Sequence, residues 1–343
     1  MTSRRRFLQA LSSGAAWACF PSSARANRQD LAAKTQTMER RRFGKTGMEV
    51  SVLGFGSSEI GFEQTDQATV DQVLGAALDS GMNVIDTAEC YLDAEISIGN
   101  AVSHRRKDYF LFTKCGHSAA DWVNGSDWSK AGVLRSLERS LQRLKTDAVD
   151  LLLVHSCPKS ELEKGACLEG LEQAKKDGKA RFVGYSGDSQ SALYAVETGR
   201  IDALQISINI CDQEALDLVL PKARERDLAV IAKRPIANAV WRHDSNPENG
   251  YYQEYWRRLQ VLNYEFASGS ARSREDADGP AGVAMRFTAM QPGVHVLIVG
   301  TSKPSRAKQN VELIRAGPLK PELERAIRER WKAVADEAWA GMT

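Results

Sequence analysis

The chain has 343 residues, of which 43% are hydrophobic and 26% charged, and a formal net charge of +2. This is a soluble globular composition with room for one or two domains. The near-neutral charge excludes a nucleic-acid-binding polycation, and no apolar run reaches the ~18–20 residues of a membrane-spanning helix.

The first 26 residues read as a twin-arginine export signal. Ser3-Arg4-Arg5-Arg6-Phe7-Leu8 is followed by a mildly apolar stretch to Phe20 and by Ala24-Arg25-Ala26, an A-x-A cleavage site. A basic tail opening an amphipathic helix is the plainer alternative. Lipidation at Cys19 is a poorer fit, since Ala16-Trp17-Ala18 lacks an aliphatic start. Cleavage would remove four arginines and no acid, turning +2 into −2. The export machinery is thus an expected partner and the periplasm an expected destination. Of six cysteines, five follow the signal: Cys90, Cys115, Cys157, Cys167 and Cys211. An odd count argues against a complete disulfide framework and suits ordinary core cysteines.

Residues 27–38 form a polar lead, and from residue 39 strands and helices alternate. Strands are expected at 50–56, 83–86, 109–114, 149–155, 180–186, 203–209, 229–233 and 294–300. Each is an apolar, β-rich run. Helical periodicity marks 65–80, stopped by Gly81, then 129–144, 161–177, 189–198, 214–226 and 282–290. Residues 241–280 hold an aromatic helix around Tyr251–Trp256 and a polar loop, and 318–340 a terminal amphipathic helix. Eight strands, one every ~25–45 residues, predict a (β/α)8 barrel over 39–343. An open doubly wound sheet fits less well, because Gly54-Phe55-Gly56-Ser57-Ser58-Glu59 lacks the third glycine of a dinucleotide-binding turn.

Polar residues gather at the strand ends, where barrel enzymes build their sites. Asp86, Lys114 and His155 close three successive runs, and Tyr91 follows the first. A free phenol, with a pKa of ~10, exchanges protons poorly near neutrality. A neighbouring ammonium lowers that value, a carboxylate holds the ammonium, and an imidazole adds a hydrogen-bonding group. Such a set suits protonation of a carbonyl oxygen while hydride reaches its carbon. Gly300-Thr301-Ser302, followed by Arg306, Gln309 and Asn310, has the form of an anion-binding turn and helix. Trp122 and Trp128 suit either substrate contact or loop packing, whereas Tyr251–Trp256 reads as helix packing.

On these residues the chain resembles the aldo-keto reductase family over nearly all of 39–340. Arg42-Phe43-Gly44-Lys45-Thr46-Gly47-Met48-Glu49-Val50-Ser51 is similar to its opening hairpin and strand. Asp86-Thr87-Ala88-x-x-Tyr91, with Glu95 and Gly99, is similar to its aspartate–tyrosine signature. The resemblance implies reduction of an aldehyde or ketone with Tyr91 as acid, Lys114 tuning it, Asp86 holding Lys114, and His155 orienting the carbonyl. It implies NADP, with NAD as the lesser choice, held by Gly56, Ser57, Ser186, Gln205, Lys233, Arg234, Gly300, Thr301, Ser302, Arg306, Gln309 and Asn310. Arg306 and Lys303 favour the 2′-phosphate. Four positions depart from the pattern: Gly187 replaces a common Asn, Ile208 a common Tyr, Ser156 a common Trp, and Lys233 an aromatic that stacks on nicotinamide. Lys233 is expected to meet cofactor oxygens instead. Two other readings are a nicotinamide-binding sensor barrel without turnover and a zinc enzyme built on Cys115, His117, His155 and Cys157.

Overall fold

The computed structural model describes residues 38–117 and 126–342. The export segment, the lead up to Thr37 and Trp122 lie outside these residues. Among the described residues the strands are β1 Arg40–Arg42, β2 Glu49–Ser51, β3 Leu53–Gly56, β4 Val84–Asp86, β5 Phe110–Cys115, β6 Val149–His155, β7 Ala180–Ser186, β8 Ala203–Ser207, β9 Ala229–Lys233 and β10 Val296–Gly300. β3 to β10 pair in parallel and close into a barrel, β10 returning to β3. The expected (β/α)8 architecture is therefore present.

Alternation along each strand builds the interior. Leu151 and Leu153 of β6 pack inside the barrel with Val84, Phe112, Ala203, Ala229, Ile231 and Val296. Leu152 and Val154 pack outward with helix residues such as Val133 and Leu137. The inward parity, carried to the C-terminal strand ends, reaches Gly56, Asp86, Lys114, His155, Ser186, Gln205, Lys233 and Gly300. The mouth residues are thus one continuation of the interior layers.

The expected strand 50–56 is two strands. β2 pairs antiparallel with β1, Val50 facing Arg41. Val52 is the changeover: its N–H donates to Glu39 O, while its carbonyl accepts from Leu297 N in the barrel. The β1–β2 hairpin plugs the barrel floor with Phe43, which is fully buried and stacks on Phe112 at 5.5 Å between ring centres.

The helices are α1 Ser58–Phe62, α2 Gln67–Asp79, α3 Ala94–Val102, α4 Lys130–Leu144, α5 Lys159–Lys164, α6 Ala166–Lys176, α7 Ser189–Glu197, α8 Glu214–Leu218, α9 Leu220–Glu225, α10 Gly250–Leu262, α11 Pro280–Ala289, α12 Pro304–Arg315 and α13 Pro321–Val334. The helix expected at 161–177 breaks at Gly165, whose φ of +78° ends α5 in a left-handed cap. The helix expected at 214–226 breaks before Pro221, which restarts the chain as α9 without needing an N–H. The terminal helix stops at Val334, and residues 335–342 run on as a tail. The strand expected to reach Asn209 ends at Ser207, where an isolated bridge from Asn209 to Asp212 turns the chain.

Candidate active site

The carboxylate of Asp86 and the ammonium of Lys114 meet at 2.6 Å in the barrel mouth, both side chains almost wholly buried. Lys114 Nζ donates also to Thr87 O at 2.8 Å, and Gln205 Nε2 donates to the second Asp86 oxygen at 2.8 Å. Ser186 Oγ donates to Gln205 Oε1 at 2.9 Å, so one chain of hydrogen bonds joins β5, β4, β8 and β7. Two charges this deep are tolerable because every charged atom has a short partner. Burial raises the Asp86 carboxyl above its usual range, opposed by Lys114 and Gln205.

Tyr91 stands on the loop after β4. Thr87 N donates to Phe112 O and Glu89 N to Lys114 O, extending the parallel pairing onto this loop. The Glu89 carboxylate then pins it to α4, accepting from Ser136 and Arg139, while Arg143 donates to Glu89 O at 3.2 Å. Gly61 of α1 passes so near that a Cβ there would lie 2.1 Å from Tyr91 O. Lys114 Nζ lies 4.8 Å from the centre of the Tyr91 ring, and the His155 ring crosses it edge-on at 6.0 Å. The four catalytic candidates are therefore brought together.

Their electrostatics differ from the expectation in one respect. Tyr91 sits well above the usual phenol range rather than below it. Burial is the largest cause, the Asp86 charge the next, and Arg234 opposes them. With Asp86 at contact, Lys114 presents the phenol with a nearly neutral pair, so burial wins. His155 lies well below its usual value because burial and the Lys114 charge both disfavour imidazolium. Near neutrality the mouth thus holds a protonated phenol beside a neutral imidazole.

Around this centre, Trp128 Nε1 donates to His155 O at 3.4 Å, and its ring meets His117 edge-on. The four proposed zinc ligands do not converge. Cys115 donates to Leu153 O and Cys157 to Pro158 O, and among the described residues no cluster of three or more His, Cys, Asp or Glu is placed to hold a metal ion.

The other side of the mouth carries charges the sequence did not connect. Lys233 Nζ pairs with Asp188 Oδ2 at 2.8 Å, and Asp188 also accepts from Ser207 N at 2.7 Å. Arg234 donates to Ser207 Oγ at 3.1 Å and to the tail carbonyl of Met342, and Tyr251 covers its guanidinium at 5.4 Å. Tyr251, expected to be helix packing, is instead exposed over the mouth. Met342 N and Tyr255 Oη both donate to Asp212, whose carboxyl burial and the Asp188 charge push up to about 7.

At the β3–β10 corner, Gly56 and Gly300 lie side by side in register. A Cβ on Gly300 would collide with the Glu59 carboxylate. Ser57 Oγ is buried there with no hydrogen-bond partner. Thr301 Oγ1 accepts from Lys303 N, and Ser302 donates to Glu63. On α12, Arg306 pairs with the Glu275 carboxylate at 2.9 Å, Gln309 donates to Glu275 O at 2.9 Å, and Asn310 is buried. An unpartnered hydroxyl beside bare glycine backbone, next to an arginine already holding a carboxylate, fits a phosphate-bearing cofactor. Glu59, Glu63 and Glu275 carry no periodic signal and were not anticipated in this corner.

A parallel barrel whose C-terminal mouth holds a buried ion pair, a phenol and an imidazole is the architecture of a barrel enzyme. Residues 52–332 match the model of the Aldo/keto reductase family, and the chain belongs to that family of oxidoreductases. Its relatives include the uncharacterized oxidoreductase YqkF of Bacillus subtilis, 26% identical over 86% of this chain and 97% of that protein. L-galactose dehydrogenase of Arabidopsis thaliana is 27% identical over 81% of this chain and 88% of that protein. The holo form of aldo-keto reductase AKR11C1 from Bacillus halodurans superposes with a TM-score of 0.74 at 26% identity, covering 88% of this chain and 98% of that one.

Proposed function

We propose that this enzyme reduces an aldehyde or ketone to an alcohol with NADP(H). The observation that carries the reading is the Lys114–Asp86 pair at 2.6 Å beneath Tyr91, with His155 across the phenol ring. NADPH, when bound, supplies the hydride to the carbonyl carbon. Tyr91, kept protonated by burial, hydrogen-bonds the carbonyl oxygen and gives it the proton. Neutral His155 orients that oxygen. Lys114, fixed by Asp86 and Thr87 O, stabilises the phenolate left behind. Ser186 and Gln205 suit the nicotinamide amide. Gly56, Ser57, Gly300, Thr301 and Ser302 suit the phosphates, and Arg306, Gln309 and Asn310 the adenosine end. Lys233 and Arg234 supply the positive charge where an aromatic is common. Titration with NADPH and NADH followed by a panel of aldehydes and ketones tests the reading. Turnover of at least one carbonyl supports it, whereas tight nucleotide binding without turnover of any would favour the sensor.

The Ser3–Leu8 motif with Ala24-Arg25-Ala26 supports export by the twin-arginine route. Because nicotinamide nucleotides are made in the cytoplasm, we propose that the cofactor is loaded before export and retained. Bound nucleotide in protein purified from the periplasm supports this, and its absence there contradicts it.

A further inference from the structure

The residue before the catalytic tyrosine is Cys90, and its Sγ lies 3.4 Å from His155 Nδ1 in a buried contact. A neutral imidazole has one N–H and one lone pair, and the hydrogen bond made by one nitrogen sets what the other offers. A thiol sulfur is a weak acceptor, whereas an unprotonated ring nitrogen is a good one. We propose that Cys90 is a positioning residue for His155: its S–H donates to Nδ1 and holds the ring as the Nε2–H tautomer.

Two further observations support this direction. Burial, the largest cause, pushes the Cys90 thiol up to about 12, so it keeps its hydrogen. His155 is held neutral, so Nδ1 keeps its lone pair. The backbone that sets the contact is rigid on both sides, since Glu89 anchors the Cys90 loop to α4 and His155 ends β6 in register with Ser186. The Nε2–H form is the one that can donate to a carbonyl oxygen; the opposite tautomer would set a lone pair against it. The inference thus rests on the carbonyl-reducing reading of this site and names the group that fixes one of its donors.

Long-range proton–nitrogen NMR of the full chain, with His155 assigned by its loss in His155→Gln, reads the tautomer directly. Wild type should show hydrogen on Nε2 and a pyridine-like Nδ1. Cys90→Ser keeps an O–H donor and should preserve that pattern. Cys90→Ala and the bulkier Cys90→Val should let the Nδ1–H form appear and lower kcat/KM by ~10-fold, with cofactor affinity unchanged and activity restored in Cys90→Ser. Hydrogen on Nδ1 in wild type, or an unchanged tautomer in both apolar variants, overturns the inference. Absence of turnover in wild type with the Nε2–H tautomer intact would count against the proposed reaction alone.

Discussion

Burial sets the charge states of the residues at the mouth, and it does so in opposite directions for acids and bases. Asp86 and Tyr91 are raised and His155 lowered, each with desolvation as the largest cause. Breaking the Asp86–Lys114 pair from one side should therefore be expensive. Asp86→Ala leaves a buried ammonium and should cost about 3–5 kcal/mol in urea unfolding, while Asp86→Leu with Lys114→Met should recover much of it. A double variant no more stable than the single would show that the pair is not desolvated as described. His155 gives a second test. Its folded pKa lies below the unfolded value of ~6.5, so neutral His155 contributes fully above that value. As pH falls below it, the unfolded chain takes up a proton first and stability is lost. Asp212 titrates near pH 7 with the opposite slope, so the quantity to compare is wild type minus His155→Gln, in which Asp212 cancels. That difference in Tm should shrink from pH 7 toward pH 5; a constant difference would place His155 in water, and a growing one would mean that its folded pKa is raised. Asp86, Lys114 and His155 were legible in the sequence because each polar side chain ends an apolar run. Cys90, Glu89 and Asp188 were not, because their partners come from strands and helices distant in the chain.

Elements place these residues through strand register and close packing more than through helix propensity. The parity that puts Leu151 and Leu153 inside β6 carries on to His155, and the same holds for Phe112 and Lys114 in β5. The runs were readable in the sequence, but which residues face inward was not, because Leu151 to Val154 are apolar without interruption. The breaks at Gly165 and Pro221 were also written in the sequence, but the apolar periodicity ran through them and hid them. α3 was not read from periodicity because its stripe includes the buried Glu95, held by Thr113 Oγ1 at 2.7 Å, and Gly99, where a Cβ would meet Arg143 O. The pairing of α12 with the 263–279 segment through Arg306 and Glu275 could not be read at all, since an exposed carboxylate and a half-buried guanidinium carry no periodic signal. It has a consequence for cofactor choice. If Arg306 takes the 2′-phosphate as proposed, that phosphate displaces the Glu275 carboxylate, a pair near the surface worth about 0–1 kcal/mol. Glu275→Gln should tighten NADPH binding by about two- to fivefold and leave NADH unchanged, as read by fluorescence titration. Equal effects on both nucleotides would remove Arg306 from the 2′-phosphate.

Across the whole molecule, one end of the barrel is for stability and the other for chemistry. The β1–β2 hairpin seals the floor with Phe43, while the open face receives side chains from β4 to β9 and bare glycine backbone from β3 and β10. The tail closes part of that face: Arg258 donates to Ala340 O at 2.8 Å, Gly341 N to Glu214, and Met342 bridges Arg234, Ser207 and Asp212. No helical or strand pattern announces such a tail, so it was read as part of the terminal helix. The barrel class was legible because eight apolar runs at regular spacing admit few other closures. The proposed proton transfer from Tyr91 is tested by comparing wild type with Tyr91→Phe in NADPH binding and in carbonyl turnover. The phenyl ring keeps the packing against Phe62 and His155 and loses only the hydroxyl. NADPH affinity should stay within about twofold of wild type and kcat should fall by at least ~10²-fold, the lower range for loss of a general acid. Full turnover in Tyr91→Phe would contradict the proposed transfer.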